Sequence, residues 1–145
     1  MAGVSKDTFS SKYYISEIIN KDAESDYYNI MNNEIYHFFS EYGLLEKQQK
    51  ADYELRFILD KVDTDMVTKT ETEQAVASQI EPILHIIVRD KKGETLFDKK
   101  YRYYEIYYVT SNISGNIQRR YDAFREALNY ILLDFRSDFE RYTKK

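Results

Sequence analysis

The sequence predicts an α+β two-layer sandwich: two helices packed on one face of a four-stranded sheet, in the order β-α-β-β-β-α. Three observations lead there. Apolar residues recur at helical spacing in two separate stretches, at about 22–42 and 115–142. Between them, Ala51 to Lys61 alternates apolar and polar residues as a half-buried strand does. The chain then doubles back over Ala75 to Val109 as a long β-hairpin. Its turn is Asp90-Lys91-Lys92-Gly93, where Gly93 supplies the positive φ of a type I turn with a G1 bulge.

Taken in order, residues 1–12 are polar and aperiodic and read as a disordered lead-in. Residues 13–145 then form a single domain. Tyr13 to Ile19 is β-prone and closed by Asn20-Lys21-Asp22, which makes it the first strand. Asp22 or Ser25 can cap the helix that follows. Its stripe is Tyr27, Ile30, Met31, Ile35, Phe38, Phe39 and Tyr42, and Gly43 is the expected left-handed terminator. Leu44 to Lys50 is a charged connector. In the next strand Tyr53, Leu55, Phe57 and Leu59 share one face, with Asp52, Glu54, Arg56 and Asp60 on the other.

Asp63 to Gln74 is polar and reads as a loop or a frayed extension. The third strand carries Val76, Ile80, Leu84, Ile86 and Val88 on one parity. Pro82 cannot donate a ladder bond, so it belongs at an edge or a bulge. In the fourth strand Phe97, Tyr101 and Tyr103 share one parity, and Tyr104, Ile106 and Tyr108 the other. A bulge near Tyr103, or cover on both faces, reconciles them. From Ile117, the residues Tyr121, Phe124, Leu128, Ile131, Leu132, Phe135, Phe139 and Tyr142 mark a six-turn amphipathic helix.

A chain of 145 residues is long enough to bury a core without staples. Its net charge of −4 argues against a nucleic-acid footprint. The absence of cysteine excludes disulfides, thiol catalysis and thiolate metal sites. No apolar run approaches the roughly 20 residues of a spanning helix. Met1 to Asp7 has no apolar core, so no secretory signal is read there. Fifteen tyrosines stand against one proline and no tryptophan. Tyrosine joins apolar area to a polar tip and is enriched at wet interfaces.

No nucleophile elbow, phosphate loop or dinucleotide fingerprint is present, and the acids are scattered over solvent faces. The sequence therefore predicts no enzyme, no cofactor and no metal. His37 and His85 each lack a second ligand at metal spacing and read as structural. One charge cluster has a shape. Arg89, Lys91, Lys92, Lys99, Lys100 and Arg102 gather on the central hairpin, diluted by Asp90, Glu94 and Asp98. They read either as a patch for phosphate or carboxylate groups or as a solvated turn. Asp52, Glu54 and Arg56 on the polar strand face, with Tyr101, Tyr103, Tyr107 and Tyr108, are the candidate partner interface.

The element order and several local patterns resemble the lipopolysaccharide-assembly lipoprotein family (LptE-like), the small subunit of an outer-membrane β-barrel translocon. The patterns are YYISEI opening toward the first helix, ADYELRFIL as the alternating strand, and ILHIIVRDKKGETLF as strand-turn-strand. YYVTSNIS leading into YDAFREALNYILLDF completes them. The resemblance covers about Tyr13 to Phe139. It implies a lipoprotein on the periplasmic face of the outer membrane, attached through a lipidated N-terminal cysteine that this sequence lacks. It also implies a role as plug of the barrel and partner of lipopolysaccharide. The hairpin cluster is assigned to lipopolysaccharide by its chemistry, not by alignment. Two other readings fit the same order: an auxiliary lipoprotein of an ABC-type lipid transport system, and a cytosolic secretion chaperone.

Overall fold

The computed structural model describes residues 11–69 and 76–144. The elements are β1 (Tyr13–Asn20), α1 (Asp26–Glu41), β2 (Tyr53–Lys69), β3 (Val76–Arg89), β4 (Thr95–Arg102), β5 (Glu105–Val109) and α2 (Ile113–Thr143). Most of the expected lead-in, and residues 70–74 of the expected 63–74 loop, lie outside the described residues.

Both helices start and stop where local chemistry directs. Asn112 caps α2 by accepting a hydrogen bond from the Gly115 amide at 3.1 Å. Ser25 precedes α1 without a side-chain cap. Asp22 acts one turn earlier: its carboxylate accepts from the Glu24 amide and, across the sheet end, from the Val62 amide at 2.8 Å. Gly43 ends α1 with φ +66°, as the sequence predicts.

The sheet has five strands where the sequence predicts four. β1 runs parallel to β2, and β2 pairs antiparallel with β3. β3 pairs with β4 over Ile83–Arg89 and with β5 over Val76–Ile80. The expected fourth strand is thus two strands on one edge, broken at Tyr103-Tyr104 where its side-chain parity switches. Pro82 sits at the junction, between the part of β3 that pairs β5 and the part that pairs β4. Pro82 also pairs with Val62 on the β2 side, so it lies in an interior strand, facing a gap between β5 and β4, and not at the edge or bulge expected of it. Of the two sequence readings for 63–74, a loop or a frayed extension, the described part is an extension of β2. Strand pairing continues past Lys61 to Lys69, because Lys61 to Asp65 keeps a strand conformation without an apolar face to advertise it.

One face of the sheet carries Leu55, Phe57, Leu59, Ile80, Leu84, Ile86 and Val88, all fully buried. Both helices cover that face with Met31, Ile35, Phe39, Phe124, Leu128, Leu132, Phe135 and Phe139. Tyr27 packs on Phe124 with ring centroids 4.4 Å apart, which locks α1 to α2. The two-helix layer on one face is therefore as predicted.

The β3–β4 turn is a backbone device. The Asp90 carboxylate accepts from the amides of Lys92 and Glu94, and Gly93 has φ +83°. No atom lies within 4 Å of where a Gly93 Cβ would sit. Gly93→Ala should therefore cost only the left-handed backbone penalty, about 1 kcal/mol, in a denaturant titration. A loss several times larger would reveal a contact that this geometry lacks.

Candidate functional site

Among the described residues no helix lies over the second sheet face. Glu54, Arg56, Ile58 and Asp60 of β2 point there, as do Glu81, Ile83, His85, Ile87 and Arg89 of β3. Asp98, Lys100 and Arg102 of β4 complete it. Charges of opposite sign face each other across the strands. Arg56 lies 2.6 Å from Glu17, Lys100 lies 2.9 Å from Asp60, and Arg102 lies 3.0 Å from Glu81 and 3.7 Å from Asp63. His85 pairs with Asp98, and Arg89 stands 3.9 Å from Glu54. Ile58, Ile83 and Ile87 are buried among these side chains although no second layer covers them. The stems of the long charged residues are what shield them. The result is a sheet face with no second layer among the described residues, whose charges are already matched.

This arrangement divides the hairpin cluster predicted to bind anions. Arg89, Lys100 and Arg102 belong to the paired face just described. Lys99 points the other way, toward α2, where its ammonium is 2.8 Å from Asp138 and 4.7 Å from the Tyr101 ring centre. Period-two geometry separates neighbours in sequence onto opposite faces. Only Lys91 and Lys92, at the turn, have no acidic partner within 4 Å among the described residues. They line a cleft of about 450 Å³ at the end of the sheet, together with Tyr14, Gln48, Gln49, Asp52, Tyr53, Glu54 and Asp90.

The predicted interface residues divide as well. Asp52 and Glu54 line this cleft, and Arg56 lies on the open face. Tyr101 is buried, and its hydroxyl donates to Asp138 at 2.7 Å. Burial, reinforced by that hydrogen bond, pushes its phenol far above the usual tyrosine range. Tyr103 stacks on Tyr130 with centroids 4.6 Å apart, and Tyr107 packs on the core from the helix side. Tyr108 is exposed on the opposite face.

Sequence reasoning missed Tyr14, Gln48 and Gln49. Their one signal is that Gln48-Gln49 interrupts a charged connector. They reach the cleft only because β1 pairs parallel to β2, which no local pattern announces. His37 sits on the α1 surface beside Glu41 at 2.7 Å. Among the described residues no group of three or more metal-ligating side chains converges, and no helix is long and apolar enough to cross a membrane.

The fold is shared with solved structures of very different sequence. One is a provisionally assigned lipoprotein from Caulobacter crescentus, 12% identical, with a TM-score of 0.58 over 96% of this chain and 94% of that one. The fold is one found in bacterial lipoproteins. A homologue of neuraminyllactose-binding haemagglutinin from Helicobacter pylori is 13% identical, with a TM-score of 0.61 over 94% of this chain and 88% of that one. The hypothetical protein CT253 from Chlamydia trachomatis is 8% identical, with a TM-score of 0.51 over 88% and 96%. No family model matches the chain, and no curated protein matches it. At such identities the likeness concerns the fold alone.

Proposed function

We propose that this domain is a non-catalytic lipoprotein subunit of the outer-membrane lipopolysaccharide assembly translocon, docked by its open sheet face against a β-barrel partner. The carrying observation is that face, uncovered and lined by cross-strand charge pairs. A barrel lumen is polar and presents charged and hydroxyl side chains. A pre-paired charged surface can exchange partners there without stranding an ion, whereas an apolar face would strand its partner's polar groups. The lipoprotein fold and the resemblance in element order support the same reading. In it, filling the lumen stabilises the barrel and leaves a path for lipid. Lys91 and Lys92, the hairpin bases without an acidic partner, meet the lipid's phosphates.

Co-expression with the lipopolysaccharide-translocon barrel of the same genome should give a stable stoichiometric complex. Lys100→Glu with Arg102→Glu should cut its recovery at least about tenfold. The thermal melt should stay near wild type, because such exposed pairs contribute about 0–1 kcal/mol each. Undiminished recovery of the double variant would move the interface elsewhere. Co-purification with an inner-membrane ABC transporter, and with no barrel, would assign the chain to lipid transport at that membrane.

A further inference from the structure

The cleft at the end of the sheet breaks the rule that governs the face beside it. On the open face each base lies within 4 Å of an acid. In the cleft, acids and bases line one hollow and none pairs across it. The acids are held by other means. Asp90 spends one oxygen on the amides of Lys92 and Glu94, at 2.8 and 3.0 Å. One Asp52 oxygen accepts from the Lys12 amide at 2.9 Å. Glu54 has only the 3.9 Å approach to Arg89. The second Asp52 oxygen, the Glu54 oxygen turned away from Arg89 and the ammonium groups of Lys91 and Lys92 are left for something else.

We propose that this cleft binds a small zwitterion: a phosphate or carboxylate held by Lys91 and Lys92, and an ammonium on the same molecule held by Glu54 and Asp52. A ligand with both charges satisfies both walls, whereas a simple anion leaves the carboxylates facing it. Gln48 and Gln49 supply carboxamides that donate and accept, and Tyr14 lines the hollow beside them. A volume of about 450 Å³ holds a headgroup-sized molecule. Beyond Tyr14 lies a second hollow of about 380 Å³, lined by Ile15, Tyr36, Leu45, Glu46 and Lys47. It offers room for an apolar extension of the ligand. The proposal rests on Lys91 and Lys92 acting as an anion site, and is independent of docking to a barrel.

The test is calorimetric titration of the whole chain at low salt with four probes: phosphoethanolamine, alanylalanine, glycerol 3-phosphate and ethanolamine. Phosphoethanolamine should bind about fivefold or more tighter than glycerol 3-phosphate, the worth of one partly exposed charge pair. Ethanolamine should bind weakest. Glu54→Gln with Asp52→Asn should erase the preference for the amine while keeping phosphate binding. Lys91→Ala with Lys92→Ala should abolish binding of both phosphates, with circular dichroism unchanged. Alanylalanine binding more tightly than phosphoethanolamine would assign the ligand to peptides, and the reverse to headgroups. Equal affinity of wild type for the two phosphates would overturn the zwitterion proposal and leave the anion site standing. Failure of alanylalanine and of both phosphates to bind would overturn both.

Discussion

Leu128→Asp is expected to leave the domain unfolded at room temperature. Leu128 is fully buried in the middle of α2, in the one core that all the elements share. Removing a buried leucine costs about 2–5 kcal/mol by itself. The incoming carboxylate finds no basic partner among Phe124, Ile131, Leu132 and the aliphatic sheet face. It must either stay ionised in apolar surroundings or bind a proton, and both states lose water without compensation. The sum consumes most of the 5–15 kcal/mol that stabilises a typical domain. Circular dichroism and a thermal melt read the outcome. Leu133→Asp, one position past Leu132 but 44% exposed, is the control and should melt within a few degrees of wild type. A cooperative, near-native melt for Leu128→Asp would place the core elsewhere.

Asp138→Ala should be clearly destabilising, though less so than Leu128→Asp. Its carboxylate accepts from the Tyr101 hydroxyl at 2.7 Å, the Lys99 ammonium at 2.8 Å and Arg141 at 2.6 Å, which fastens the last turns of α2 to β4. Lys99 and Arg141 are largely exposed, so their share is small. Tyr101 is buried and its hydroxyl loses the hydrogen bond it makes here, which together with the other lost charge-assisted bonds should cost about 2–3 kcal/mol. Tyr101→Phe with Asp138→Ala should cost less than the sum of the single changes, since the stranded hydroxyl is then gone.

The pH dependence has a definite sign. Burial alone would raise the Asp138 carboxyl, but the hydrogen bonds from Lys99, Tyr101 and Arg141 outweigh it and hold the group below its ordinary 3.8. A carboxyl depressed on folding contributes stability that is fully present above that ordinary value. The contribution is lost as pH falls through the lower, folded-state value. Wild type should therefore exceed Asp138→Ala by a constant margin at neutral pH, and the margin should narrow below about pH 4. A margin that grew on acidification would show that the carboxylate is not the stabilising form.

How much of this was legible in the sequence follows from the range of the interactions involved. The helices were, because Tyr27 to Tyr42 and Tyr121 to Tyr142 repeat every three or four residues and a single face must be buried. The β3–β4 turn was, because Asp90 and Gly93 act on their own backbone within four residues. Pro82 announced a ladder break for the same local reason. The break at Tyr103-Tyr104 showed only as conflicting parity, and the strand beyond Lys61 only as one of two readings, a loop or a frayed extension. A ladder bond depends on the partner backbone, not on an apolar side chain.

The candidate site was legible as a list of charges and not as a surface. The sequence alone determined that Arg89, Lys91, Lys92, Lys99, Lys100 and Arg102 sit close together on one hairpin. Tertiary structure decided that Lys99 serves Asp138 under the helix layer, that Lys100 and Arg102 are matched by Asp60 and Glu81, and that Lys91 and Lys92 remain without an acidic partner. It also decided that Asp52 and Glu54 face those two lysines across a cleft with Tyr14, Gln48 and Gln49. The physical reason is that a charge acquires its role from neighbours within about 4 Å. In this fold those neighbours are brought by strand pairing and helix packing from as far away as 96 residues along the chain.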